Sequence, residues 1–212
     1  MRERPTFAAE RALWEGGLRL VAGVDEVGRG PLAGPVAAGA VILPPGARFR
    51  WLSRVRDSKE LTPEVREELA GRIWDGAVAA AVGFVPVTSV DRIGIAEASR
   101  QAMLAAVGDL RERPEHLLID AFRLRACRLG QTPIIHGDAI SLSIACASII
   151  AKVARDRFMD VQELLFPGYA FMSNKGYYTA EHAEALHRLG PCEIHRRSFS
   201  PVKEMVAAIA TV

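Results

Sequence analysis

Two adjacent carboxylates, Asp25 and Glu26, end the apolar run Leu20-Val21-Ala22-Gly23-Val24, and the glycine-flanked arginine of Gly28-Arg29-Gly30 follows almost at once. Side chains alternate across a strand, so the two carboxylates share one site only where the strand breaks or bulges at Glu26; Gly28 and Gly30 make such a break feasible. Two more aspartates close apolar runs: Asp120 directly after Leu117-Leu118-Ile119, and Asp138 after Ile134-Ile135-His136-Gly137. Four carboxylates can therefore converge at strand ends. Such a cluster is unstable unless it is protonated or neutralised, and an all-oxygen donor set suits Mg²⁺ or Mn²⁺ rather than zinc. Two such ions about 4 Å apart activate water and stabilise the leaving oxygen of a phosphodiester. The plainer alternative is that Asp120 or Asp138 merely caps a turn or helix.

The string Gly28-x-Gly30-x-x-Ala33 also matches a dinucleotide-binding fingerprint, which needs a helix opening at the glycines to offer its amides to pyrophosphate. Pro31 and Pro35 interrupt, and Ala37 to Leu43 reads as strand, so no nucleotide cofactor is expected.

The elements that must carry these groups follow from periodicity. Thr6 to Leu18 has a helical pattern through Phe7, Leu13 and Trp14, placed as a lid over the core, and Gly16-Gly17 ends it. Leu20 to Asp25 and Val36 to Leu43 read as an antiparallel pair of strands. Thr62-Pro63-Glu64 opens a helix to about Asp75, Ala77 to Val87 is a third strand, and Ile95 to Leu110 has helical spacing. His116 to Ile119 and Thr132 to His136 read as short buried strands, and a long helix runs from about Ile140 to Leu165. Beyond Pro167-Gly168 the composition turns aromatic, histidine-rich and basic around one more helix, Ala180 to Leu189. This pattern predicts an α/β fold, a mixed central sheet flanked by helices, over residues 1–166, with a small C-terminal helical subdomain over 167–212 packed on it.

The chain has 212 residues, enough for one domain of about 100–200 residues and a modest appendage. Its 27 Lys and Arg against 25 Asp and Glu give a formal charge of +2, so any site for a polyanion must come from local clustering. One such cluster is Arg48 to Lys59, with four arginines and a lysine around Trp51. It reads either as a solvated loop or as phosphate contacts, Lys59 foremost. Cys127, Cys146 and Cys192 form no C-x-x-C pair, which argues against a disulfide framework or a structural zinc site and points to a reducing cytoplasm. The N-terminus lacks the layout of a secretory signal, and the uncharged stretches carry too many prolines for a membrane span.

Taken together, Asp25-Glu26-Val27-Gly28-Arg29-Gly30, Asp57-Ser58-Lys59, Leu118-Ile119-Asp120, Gly137-Asp138, Ser141-Leu142-Ser143-Ile144-Ala145, Ala147-Ser148-Ile149-Ile150-Ala151-Lys152 and Arg155-Asp156 closely resemble bacterial ribonuclease HII. So does the tail: Asn174-Lys175-Gly176-Tyr177, then Thr179, His182, Gly190-Pro191 and His195-Arg196-Arg197-Ser198-Phe199. The resemblance covers about Ala22 to Val202 in order. It implies a ribonuclease H-like fold and an endonuclease that cuts 5′ to a ribonucleotide embedded in DNA, or within the RNA of an RNA/DNA hybrid, leaving 3′-hydroxyl and 5′-phosphate ends and serving ribonucleotide removal. It implies that Asp25, Glu26, Asp120 and Asp138 are the catalytic metal-binding carboxylates, that Gly28, Arg29 and Gly30 read the 2′-hydroxyl and a neighbouring phosphate, and that Tyr177 stacks on a sugar at the junction. Lys59, Lys175 and Arg196 are the further substrate contacts expected. Only the 2′-OH marks a lone ribonucleotide, and exposed glycine backbone can approach it closely.

Two positions depart from the family pattern: His136 stands where a lysine usually precedes Gly-Asp, and Cys146 replaces an alanine in the long helix. Neither removes a proposed ligand, although a neutral His136 offers a phosphate less than a lysine would. His116, His182, His187 and His195 read as surface or hydrogen-bonded structural residues. A monomer suffices for this chemistry, and a sliding clamp as protein partner is left open. The rival readings are a nonenzymatic nucleic-acid binder on the same scaffold, against which four phosphate-repelling carboxylates weigh, and a nicotinamide-dependent oxidoreductase, against which Pro31 weighs.

Overall fold

The computed structural model describes residues 4–209; residues 1–3, on which the reading of the N-terminus partly rests, and 210–212 of the tail lie outside it. Strands β1 (Val21–Val27), β2 (Val36–Ile42), β3 (Ala79–Val85), β4 (His116–Asp120) and β5 (Gly130–Ile134) form one sheet in the order β3-β2-β1-β4-β5. β2 runs antiparallel to both its neighbours, β1 and β3, whereas β4 runs parallel to β1 and β5 parallel to β4. The helices are α1 (Ala8–Glu15), α2 (Pro63–Gly76), α3 (Val87–Ile93), α4 (Ile95–Gly108), α5 (Gly137–Ile140), α6 (Leu142–Leu165), α7 (Phe171–Asn174), α8 (Ala180–Leu189) and α9 (Val202–Ile209). Among the described residues, no helix is long and apolar enough to cross a membrane.

The mixed sheet flanked by helices is the expected architecture, and its layers follow from the period of two. In β2, Ala38, Ala40 and Ile42 enter the layer beneath α4, whereas Val41 enters the opposite layer with α2 and α6. β2 is therefore buried on both faces, as its unbroken apolar run requires. α6 lies so close to β1 and β2 that a Cβ at Gly23 would stand 2.1 Å from the Ser143 carbonyl carbon, and one at Gly39 2.2 Å from the Ala147 oxygen. Small residues on both sides of that contact let 24-residue α6 bury its N-terminal half against the sheet.

Three sequence expectations are corrected. β5 is shifted to Gly130–Ile134 and is half-exposed rather than buried, because it is an edge strand with a single neighbour, which is also why Pro133 is tolerated in it. α3 and α9 were not foreseen, being short and lacking a long periodic pattern. The break expected at Glu26 is absent: β1 stays in regular register with β2 through Glu26↔Ala38 and Val27↔Ala37.

α1 is tied in by a single buried carboxylate. Glu10 Oε1 accepts from Ser141 Oγ at 2.7 Å, Ser143 N at 2.8 Å and Ser143 Oγ at 2.6 Å, holding the junction between α5 and α6. The tail packs its own apolar cluster, Tyr169, Phe171, Ala185, Leu186 and Val202, onto Leu32 and Ala33 of the β1–β2 connection and Met159 of α6.

Candidate active site

The pairing of β1 with β4 ends at Val24↔Ile119, and the side of β1 that β4 leaves free beyond that point opens into a cleft of about 260 Å³. Asp25, Glu26, Asp120 and Asp138 all line it. Adjacent strand residues share it without a bulge where β1, still paired with β2, has lost β4 as its other neighbour. Asp120 ends β4, and its Oδ1 accepts the Gly137 amide at 2.7 Å, which ties the end of the strand to the first turn of α5 and so brings Asp138 into the same space. One Asp120 oxygen thus does cap a turn, and that turn is the one carrying the fourth carboxylate.

Electrostatics mark this cleft. Asp25 is pushed well above the usual carboxylate range, first by burial and then by the charges of Glu26 and Asp120, against a hydrogen bond from Ser148. Burial also raises Glu26, with Arg29 opposing, and Asp138, with Asp57 and Asp120 adding to the effect. Glu26 Oε1 is 3.2 Å from Arg29 Nη1, while its buried Oε2 has no hydrogen-bond partner. Among the described residues, no three His, Cys, Asp or Glu side chains already stand as a closed cation-binding group. The donors nonetheless fit a hard divalent ion: all are carboxylate oxygens, one is buried and unpartnered, and their mutual repulsion is what a dication relieves.

The rest of the lining includes backbone and cations. Gly28, Arg29, Gly30, Lys59 and Tyr177 line the cleft as expected, together with Ser58, Ser148 and Lys152. Desolvation opposes the charge of the exposed Lys59 ammonium, but Asp57, Asp138 and Asp25 outweigh it and raise the group. Gly28 adopts φ +87°, and a Cβ there would stand 2.3 Å from Arg155 Nε, so no side chain fits. The sequence reading did not assign Ser58, Ser148 or Lys152. Ser148 and Lys152 lie one turn apart on α6, a spacing that would have placed both on the face carrying the site.

Two residues expected as substrate contacts are engaged within the fold. Arg196 is fully buried, and its guanidinium donates to the carbonyls of Gly28 at 2.6 Å, Arg29 at 3.0 Å and Gly34 at 2.9 Å; it holds the loop from behind, out of reach of substrate. Lys175 does not line the cleft: its ammonium pairs with Asp160, and its carbonyl accepts from Arg155. Local sequence could not show that these two basic residues had partners within the fold.

His136, at φ +56°, lines an adjoining cavity with Arg4, Asp57 and Asp138. A larger cavity, about 890 Å³, lies elsewhere, is walled by Phe84, Pro86, Phe158 and Ile194, and contains none of the four carboxylates. Gly28 to Ala33 lies in the connection between two antiparallel strands rather than at a helix N-terminus, so the dinucleotide reading has no helix to draw on.

Residues 22–202 match the family model for ribonuclease HII. A ribonuclease HII from Dehalococcoides mccartyi (strain ATCC BAA-2266 / KCTC 15142 / 195) is 50% identical over 205 residues, 97% of each chain. A longer relative of the same description from Anaeromyxobacter sp. (strain Fw109-5) is 53% identical over 203 residues, 96% of this chain and 64% of its own length. Among solved structures, ribonuclease H2 from Pyrococcus horikoshii OT3 superposes with a TM-score of 0.76 at 25% identity, covering 91% of this chain and 99% of that one. The ribonuclease HII of Archaeoglobus fulgidus, solved in complex with PCNA, gives 0.72 at 26% identity, covering 85% and 95%. With the family match running from the start of β1 to the first residue of α9, and half of all residues identical across nearly the whole chain, this protein belongs to the ribonuclease HII family.

Proposed function

We propose that this protein hydrolyses the phosphodiester on the 5′ side of a ribonucleotide in duplex DNA, and bonds within the RNA of RNA/DNA hybrids, leaving 3′-hydroxyl and 5′-phosphate ends. Its service to the cell is the removal of ribonucleotides from DNA. The observation that carries this reading is the cleft itself: four carboxylates from β1, β4 and α5 line the same space of about 260 Å³ as Gly28-Arg29-Gly30 and Tyr177.

Asp25, Glu26, Asp120 and Asp138 would hold Mg²⁺ or Mn²⁺, two ions during the reaction, which supply an activated water and stabilise the leaving oxygen. Asp25 is oriented for this by Ser148, whose hydroxyl is in turn 3.0 Å from that of Ser58. Lys59 meets a phosphate near the cut. The backbone at Arg29 and Gly30 reads the 2′-hydroxyl: among the described residues, neither N–H donates to another backbone group, and Arg196 anchors the carbonyls behind them. Tyr177, 42% exposed, offers its ring to the sugar at the RNA–DNA junction. The tail from residue 167 onward acts as the substrate-binding subdomain by presenting Tyr177 and buttressing the glycine loop. A sliding clamp as partner has in its favour the PCNA complex of the Archaeoglobus neighbour.

The test is a duplex containing one ribonucleotide beside an all-DNA duplex, each with Mg²⁺, with Mn²⁺ and with chelator, the product ends being mapped. Cleavage confined to the 5′ side of the ribonucleotide and to divalent-ion conditions is the expected result. Binding without cutting under every condition would instead favour a nonenzymatic binder.

A further inference from the structure

Tyr177 is attached to two buried histidines that the chemistry above does not use. His182, in the first turn of α8, and His195, in the tail, are 0% and 1% exposed. Their Nε2 atoms are 3.0 Å apart; His182 Nδ1 is 2.8 Å from the Tyr177 carbonyl oxygen, and His195 Nδ1 is 2.9 Å from the Cys192 backbone nitrogen.

The positions of the protons follow from the two ends. A backbone N–H can only donate, so His195 Nδ1 carries a lone pair, and a neutral ring then has its proton on Nε2. That proton points at His182 Nε2, which must accept, leaving the His182 proton on Nδ1 and aimed at the Tyr177 oxygen. The other end requires the same answer independently, because a carbonyl can only accept. Charging either ring would oppose two N–H groups across one of these contacts. Burial lowers the basicity of both rings, taking His195 to about 4, so both are neutral near pH 7. The rings of Phe171 and Tyr169, with centroids 5.5 Å from His182 and 5.0 Å from His195, pack around the pair.

We propose that His182 and His195 are positioning residues for Tyr177: a fixed-tautomer chain running from Cys192 N–H to the Tyr177 carbonyl sets where the exposed ring meets the nucleotide sugar beside the cut. The inference rests on the reading of Tyr177 as the sugar-stacking residue. Asn174 completes the mount, accepting the Tyr177 N–H at 2.9 Å through its carbonyl and the Gly176 N–H at 2.7 Å through its side chain.

The first measurement is a long-range ¹⁵N–¹H correlation of the imidazoles in the full chain near pH 7. Opposite tautomers are expected, with the proton on Nδ1 in His182 and on Nε2 in His195; any other assignment, or a charged ring, overturns the chain. The second compares His182→Asn, whose amide nitrogen can take the place of Nδ1, with His182→Gln, whose amide takes the place of Nε2. His182→Asn is expected to keep the preference for a single-ribonucleotide duplex over a continuous hybrid within about threefold, and His182→Gln to lose about tenfold, ~1.4 kcal/mol. Equal behaviour of the two variants overturns the positioning role. Tyr177→Ala separates the layers of the argument: if it leaves the preference unchanged, the stacking reading fails and the positioning role fails with it, whereas the tautomers decide on their own whether the chain exists.

Discussion

Arg196 Nη2 donates to the Gly28 carbonyl at 2.6 Å across 168 residues of sequence, and Nη1 of the same guanidinium donates to the Arg29 carbonyl at 3.0 Å. A trans peptide points its N–H away from its C=O, so anchoring these two carbonyls in the interior turns the N–H groups of Arg29 and Gly30 toward the cleft. The buried arginine thereby holds the glycine loop with this pair of N–H donors turned outward.

Arg196→Lys keeps a charge but loses the guanidinium fork. It is expected to lower kcat/KM on a single-ribonucleotide duplex at least about tenfold, ~1.4 kcal/mol. The slope of binding affinity against salt should stay at the wild-type value, because no phosphate contact is lost. A shallower slope with intact selectivity would put Arg196 on the substrate after all.

Lys59 should behave in the opposite way. It lines the cleft, its charge favoured by three nearby aspartates. Lys59→Ala is expected to reduce the salt slope by about one and to weaken ribonucleotide-containing and all-DNA duplexes alike. Fluorescence anisotropy in chelator, over a range of salt concentrations, makes the comparison without turnover.

Burial, then Glu26 and Asp120, raises Asp25 above its usual value of 3.8. The folded protein therefore holds this proton over a pH window in which the unfolded chain has released it, and the contribution of Asp25 to stability falls as pH rises through that window. Above that window the ionised group is a cost to the metal-free fold. Asp25→Asn is expected to raise Tm in chelator, by about 2–4 °C for each kcal/mol relieved in a chain of this size. It should also abolish the stabilisation that Mg²⁺ or Mn²⁺ confers and reduce cleavage about 10³-fold or more, a few kcal/mol of transition-state stabilisation. A lower Tm without metal, or wild-type turnover, would contradict the role of Asp25 in the cleft.

Glu10 stabilises from the same side of the sheet as α6. Its Oε1 accepts from three donors of Ser141 and Ser143 at the start of α6, two positions beyond the helical turn that carries Asp138. Glu10→Ala leaves those donors buried and unpartnered, at about 1–3 kcal/mol for each one not rescued by water. Glu10→Gln, whose amide oxygen still accepts, should recover most of the loss in thermal melts. Equal melting of both variants and wild type would show that α1 is not anchored there.

The sequence alone determined the sheet and the acidic half of the site, because both are written in local order. Period-two and period-3.6 patterns place the strands and the long helix, and a carboxylate that ends an apolar run lies at a strand end wherever the strands go. Strand-end placement showed that Asp25, Glu26, Asp120 and Asp138 could converge, with a capping role for Asp120 or Asp138 left open, and the resemblance to ribonuclease HII joined all four. Tertiary structure decided how adjacent Asp25 and Glu26 share one cleft without a bulge, since that depended on where β4 stops pairing with β1. It also decided the partners of the basic and buried polar residues: Arg196 beneath the glycine loop, Lys175 on Asp160, Glu10 on Ser141, and His182 on His195. A cation or an imidazole looks the same in sequence whether it faces phosphate or a carbonyl in the interior. The difference is a hydrogen-bond partner that can stand more than a hundred residues away, and only folding brings it within 3 Å.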